Sequence, residues 1–121
     1  MGVKMAAEIV KDEAFLRQPS EPVKNLQEGI HLVRELNYAV NAVNIRAARE
    51  LKRNPKAKPL FAAGLSAPQI GVLKQVCVVA IDDYRRGLVN PRIVAHASEK
   101  ILCREGCLSF PGKVVETYRW P

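Results

Sequence analysis

The chain has 121 residues, 48% of them hydrophobic and 26% charged, with a net charge of +7. That profile is the one of a folded globular domain and excludes a disordered chain, and no apolar run reaches the ~18 residues that a membrane span needs. One domain of this size can bury roughly two-thirds of the surface that its unfolded form exposes, so a real core is expected. Met1 to Lys11 lacks the continuous apolar stretch of a signal peptide, and Ala6 stands where an acylation signal wants Ser or Thr. Three cysteines, an odd number without a secretory leader, point to reduced thiols and a cytoplasmic location.

Residues 8–23 mix short apolar pairs with Pro19 and Pro22, which suits an extended arm rather than a helix. Asn25, followed three residues later by Glu28, resembles a capping box. Leu26, Ile30, Val33, Leu36, Val40, Val43, Ala47 and Leu51 then recur every three or four residues. They predict one amphipathic helix from Leu26 to Lys52, stopped by Asn54-Pro55, with Gly29 and several asparagines counting against an unbroken rod. His31 has no second metal-type ligand one turn away and reads as a structural or surface histidine.

Arg46, Arg49, Lys52, Arg53, Lys56 and Lys58 crowd into segment 46–58. The segment reads as a solvated helix end and loop, with a ribosomal RNA surface as the functional alternative; no aromatics interleave to make a stacking platform. Beyond it, Gln75–Ile81 is a continuous β-rich run expected as a strand buried on both faces, with Cys77 in the core and Asp82-Asp83 ending it. Leu88–His96 is expected as a second strand broken by Pro91, Glu99–Arg104 as a third and Val114–Trp120 as a fourth.

Two segments are not explained by core packing. Ala63-Gly64-Leu65-Ser66-Ala67-Pro68-Gln69-Ile70-Gly71 is a run of small residues around one glutamine, where another backbone can come close. Gln69 is placed to hydrogen-bond a carbonyl or a metal-bound oxygen; the plainer alternative is a tight connection with a surface amide. In Glu105-Gly106-Cys107-Leu108-Ser109, a thiolate ligand could stand beside the Leu108 N–H as an oxyanion donor. A cysteine buried in a turn is the alternative.

In this order the two segments resemble the first two motifs of the peptide deformylase family. Ala62-Ala63-Gly64-Leu65-Ser66-Ala67-Pro68-Gln69 matches a motif of the type Gly-x-Gly-Leu-Ala-Ala-x-Gln, and Glu-Gly-Cys-Leu-Ser matches residue for residue. Ile9-Val10-Lys11, Phe15-Leu16-Arg17-Gln18-Pro19 and Val89-Asn90-Pro91 extend the likeness over nearly the whole chain. The resemblance implies an α+β fold, a long N-terminal helix packed on mainly antiparallel strands. It also implies a metal-dependent amidase that removes the formyl group from the initiator methionine of nascent proteins. It assigns Cys107 as a ligand of Fe²⁺ or Zn²⁺, and Gln69 with the Leu108 N–H as stabilisers of the tetrahedral intermediate. Gly64 would pair with the backbone of an N-formylmethionyl peptide, and Ala63, Cys103, Glu105 and Gly106 would form the methionine pocket. Ala63 is smaller than the family's usual aliphatic residue there.

The family's third motif, His-Glu-x-x-His on a helix, has no counterpart: the histidines are His31 and His96, and neither is followed by glutamate. Neither Cys103 nor His96 is expected to substitute. The expectation is therefore a truncated deformylase-like domain without the catalytic helix, inactive as this chain alone, whose uncovered sheet face favours self-association or a covering partner. A non-catalytic peptide- or RNA-binding module derived from the fold, or a remnant without activity, is the alternative.

Overall fold

The computed structural model describes residues 8–121; residues 1–7, and with them most of the stretch read above for a leader and for acylation, lie outside the described residues. In chain order the elements are α1 (Glu13–Leu16), α2 (Leu26–Arg53), β1 (Gly64–Ser66), a 3-10 turn (Ala67–Ile70), β2 (Val76–Ile81), β3 (Tyr84–Val89), β4 (Ile101–Cys107) and β5 (Phe110–Arg119). The class is α+β with antiparallel strands, as the sequence predicts. No helix among the described residues is long and apolar enough to cross a membrane.

The arm holds one helical turn that its composition hid. Asp12 caps α1 by accepting from the Phe15 N–H at 3.3 Å, and Arg17 closes back on Glu13 at 2.7 Å, so local polar bonds outweigh the flanking prolines. The rest of the arm is extended and laid across the domain. Val10 N–H donates to the Gln69 carbonyl at 2.8 Å, and Glu21 bridges Lys74 in parallel.

Helix α2 starts where the cap predicts: Asn25 Oδ1 accepts from the Glu28 N–H at 2.8 Å. It continues unbroken for 28 residues, through Gly29 and the asparagines. Tertiary packing overrides propensity here, because a Cβ on Gly29 would stand 3.1 Å from the Val89 side chain. Leu32, Leu36, Ala39 and Val40 pack on Leu65, Val76, Val78 and Ala80, which together make the core.

The first sheet runs β1-β2-β3, all antiparallel. Strand β2 is buried on one face, through Val76, Val78 and Ala80, and not on both as its unbroken apolar run suggests. Cys77 points to the other face and is half-buried, and that burial pushes its thiol pKa up. After Ile81 the chain reverses in two residues, with Asp82 at φ 51°, and returns as β3. The second strand is thus Tyr84–Val89 rather than Leu88–His96. It ends at Asn90, left-handed at φ 49°, whose amide brackets Val23: Oδ1 accepts from its N–H at 2.7 Å and Nδ2 donates to its carbonyl at 2.9 Å. His96 lies outside any strand and stacks on Trp120 with ring centroids 3.9 Å apart.

Strands β4 and β5 form a separate two-stranded sheet, and both begin or end closer to the hairpin turn than expected. Their pairing runs from Ile101↔Arg119 to Gly106↔Val114 and shifts at Gly106/Cys107, which places Glu105-Gly106-Cys107 at the end of a strand. Ile101, Leu102, Val114, Val115 and Tyr118 on this hairpin are each at least half exposed.

Candidate functional site

The small-residue run forms an edge strand followed by one tight turn. Gly64 pairs opposite Val79, and a Cβ there would stand 2.9 Å from the Val78 carbonyl oxygen, so glycine is required for β1 to lie this close to β2. Helix α2 fixes the approach to this strand: Asn44 Oδ1 accepts from the Ala62 N–H at 2.7 Å. Gly71, at φ 88°, ends the 3-10 turn in the left-handed region.

That turn aims Gln69. Its Oε1 accepts from both the N–H and the Oγ of Ser66, each at 3.1 Å, which closes a capping box. With the carbonyl side of the amide occupied, Nε2 faces the second motif. It donates to Cys107 Sγ at 3.4 Å and to Ser109 Oγ at 3.3 Å, joining residues 38 and 40 positions apart. Ser109 is 1% exposed, so its hydroxyl is a fixed partner, whereas the Cys107 thiol is exposed. The sequence reading assigned no part to Ser66, Ser109 or Asn44. For Asn44 the available signal was an amide set between Val43 and Ala47 on the helix's apolar stripe.

A cleft of about 430 Å³ lies between the two motifs, with Ala63, Gly64 and Gln69 on one wall and Gly106, Cys107 and Leu108 on the other. Six of the eight residues singled out from the sequence thus share one cavity. Glu105 lines an adjoining cleft of about 440 Å³, and Cys103 lines neither. Glu105 is instead engaged across the hairpin: Arg119 donates to both its oxygens, at 2.6 and 2.7 Å, and the Thr117 hydroxyl donates to Oε2. The Arg119 guanidinium, then the Thr117 hydroxyl, hold the Glu105 carboxyl down at about 2, and the same pairing raises Arg119.

Cys107 is the one side chain in the main cleft of a type that ligates transition metals. Among the described residues no group of three or more His, Cys, Asp and Glu could hold a metal ion. His31 is exposed and pairs with Glu35 at 3.7 Å, and His96 is stacked on Trp120. An open catalytic site takes three protein ligands, so this donor set does not by itself fit one. Elsewhere, Arg46, Arg49, Lys52 and Arg53 line a broad groove of about 710 Å³ on α2 with Ala42 and Ile45.

The Polypeptide deformylase family matches residues 6–121. The peptide deformylase of Acetivibrio thermocellus is 38% identical over 96 residues, covering 77% of this chain and 55% of that protein. That of Thermosynechococcus vestitus is 32% identical over 123 residues, covering 95% and 63%. Among solved structures, an Acinetobacter baumannii class I type b peptide deformylase superposes with TM-score 0.66 at 28% identity, covering 97% of this chain and 71% of that one. A Synechococcus elongatus peptide deformylase in complex with actinonin does so with TM-score 0.70 at 24% identity, covering 99% and 62%, a likeness of fold. The chain spans between about half and two-thirds of the length of the curated relatives named here. With both motifs meeting across one cleft inside a match of that extent, the chain belongs to the peptide deformylase family.

Proposed function

We propose that the cleft between Gln69 and Cys107 receives an N-formylmethionyl peptide for hydrolytic removal of the formyl group. The observation that carries this reading is the orientation of Gln69. Ser66 engages the amide oxygen and the buried Ser109 hydroxyl accepts from Nε2, so the other Nε2–H is directed at the exposed Cys107 Sγ on the cleft. A donor held in that way is organised to stabilise charge developing on a formyl oxygen, with the Leu108 N–H as second donor. Gly64, on the edge strand, would pair with substrate backbone. Ala63 and Gly106 would bound the methionine side chain, with Cys103 and Glu105 supporting the wall from β4.

Cys107 is suited to be one ligand of Fe²⁺ or Zn²⁺. The described residues do not complete such a centre, so these 121 residues alone are expected to bind formylated peptide without turning it over. Calorimetric titration with formyl-Met-Ala-Ser and with its unformylated counterpart tests the first half. Binding should favour the formylated peptide and weaken in Gln69→Ala. Formate release by the purified chain, falling in Cys107→Ala, would overturn the second half.

Two partner surfaces belong to the same proposal. The groove of Arg46, Arg49, Lys52 and Arg53, which have no ion pair among the described residues, fits contact with ribosomal RNA. RNA affinity should fall steeply with salt and drop in Arg46→Ala/Arg49→Ala; a flat salt response removes the idea. The exposed apolar residues of the β4–β5 hairpin fit a covering chain or a second copy.

A further inference from the structure

Lys113 is exposed, lines the candidate cleft and is the one charged side chain among its lining residues. It lines the adjoining cleft as well, where two carboxylates are nearby. Both are already taken: Glu13 by Arg17 at 2.7 Å, and Glu105 by Arg119 at 2.6 Å. Among the described residues Lys113 therefore has no anionic partner, in a region where every other charged group lining either cleft is paired. Its ammonium is steadied by the Phe110 ring, with Nζ 5.9 Å from the centroid. Gly112, left-handed at φ 81°, lies just before it in the irregular start of β5, and the neighbouring pair Gly106↔Val114 ties it to the second motif.

The rest of the lining is uncharged. Leu60 and Phe61 are 46% and 51% exposed and line the same cleft, so it offers exposed hydrocarbon together with a single positive charge.

We infer that Lys113 selects, among formylated peptides, those that carry an aspartate or glutamate downstream of the formylated residue. An exposed ammonium with no counter-charge among the described residues, on a cleft with no other charged lining residue, attracts a carboxylate and repels a lysine or arginine of the incoming chain. Leu60 and Phe61, exposed on the same cleft, add contact for an apolar side chain of the peptide. The inference rests on the deformylase reading of the cleft and deepens it by naming the class of peptide.

The test is binding, by fluorescence anisotropy at low ionic strength, of formyl-Met-Ala-Asp, formyl-Met-Ala-Ala and formyl-Met-Ala-Lys, each amidated at its C-terminus, with unformylated Met-Ala-Asp beside them. An exposed pairing of this kind is worth about two- to fivefold in affinity, in the order Asp, Ala, Lys, and fades when the Debye length is cut by added salt. Lys113→Met should level the three formylated peptides, and Lys113→Glu should reverse their order. Equal binding of the three by the wild-type chain, or an order that survives Lys113→Met, overturns the inference while leaving the formyl reading standing. An acidic preference that ignores the formyl group upholds the role of Lys113 and sinks the deformylase reading. Failure of every peptide to bind overturns both.

Discussion

The contact that seats helix α2 on the first sheet can be broken and restored with two substitutions. Gly87 lies opposite Val78 on β3, and a Cβ built there would be 2.7 Å from both Val33 methyl carbons. Because Val33 is β-branched, rotating one methyl away brings the other in, so the clash cannot be relieved by a rotamer change. Gly87→Ala should cost about 1–3 kcal/mol by overpacking, partly offset by the roughly 0.5–1 kcal/mol that alanine gains over glycine within a strand. Val33→Ala, at a half-buried site on the core's edge, should cost about 1 kcal/mol. In the double variant the new methyl occupies the space that Val33 vacates. Its cost should fall to that of Val33→Ala alone or slightly below, where simple addition, with the alanine offset included, gives roughly 1–3.5 kcal/mol. Equilibrium unfolding in urea, with a common m-value, reads all four corners of the cycle. Costs that add to within about 0.5 kcal/mol would refute the argument, since they would mean that the two side chains do not meet.

Other consequences are smaller or more local. Asn44→Ala removes the side-chain acceptor of the Ala62 N–H, bonded at 2.7 Å, and should cost about 1–2 kcal/mol while speeding amide exchange at Ala63 and Gly64; unchanged exchange would show that α2 does not hold this strand. The Glu105 carboxyl, held at about 2 against an ordinary 4.5, contributes stability that is complete above about pH 4.5 and lost as pH falls toward 2. Arg119→Met removes the larger cause, so a carbon-13 titration of that carboxyl should move up toward 4.5; a midpoint still near 2 would place the cause elsewhere. With Leu102, Val114, Val115 and Tyr118 each more than half exposed on one hairpin, size-exclusion chromatography of the isolated chain should show concentration-dependent association. Association should weaken in Val115→Lys, and a stable monomer at high concentration would argue against the covered-face proposal.

The parts of the structure written in neighbouring residues were legible before any fold was known. The cap at Asn25, the three-and-four spacing to Leu51 and the stop at Asn54-Pro55 set α2 to within a residue of its observed end, because a helix is closed by bonds four residues apart. The two motifs could be recognised as a family's for the same reason: each is a short string. Strand β3 could not be read, since Tyr-Arg-Arg-Gly-Leu-Val has no alternation of its own and is made a strand by pairing with β2 across a two-residue reversal. Nor could the single buried face of β2 be read, because its apolar run looks alike from both sides and only the packing of α2 chooses one.

The site divides in the same way. Gln69, Cys107 and Leu108 were named from their strings, and the structure places all three around one cleft. Glu105 was named for a pocket wall and turns out to be engaged by Arg119, fourteen residues away, in a cross-strand pair that depends on the hairpin register. The sequence by itself determined the long helix, the glycines and cysteine of the two motifs, and the family they belong to. Only the tertiary structure decided that Ser66 turns the Gln69 amide toward Cys107, that Ser109 is its buried second partner, and that Lys113 is left without a counter-charge among the described residues. Those outcomes depend on register and packing between segments far apart in the chain, and no local pattern of residues encodes them.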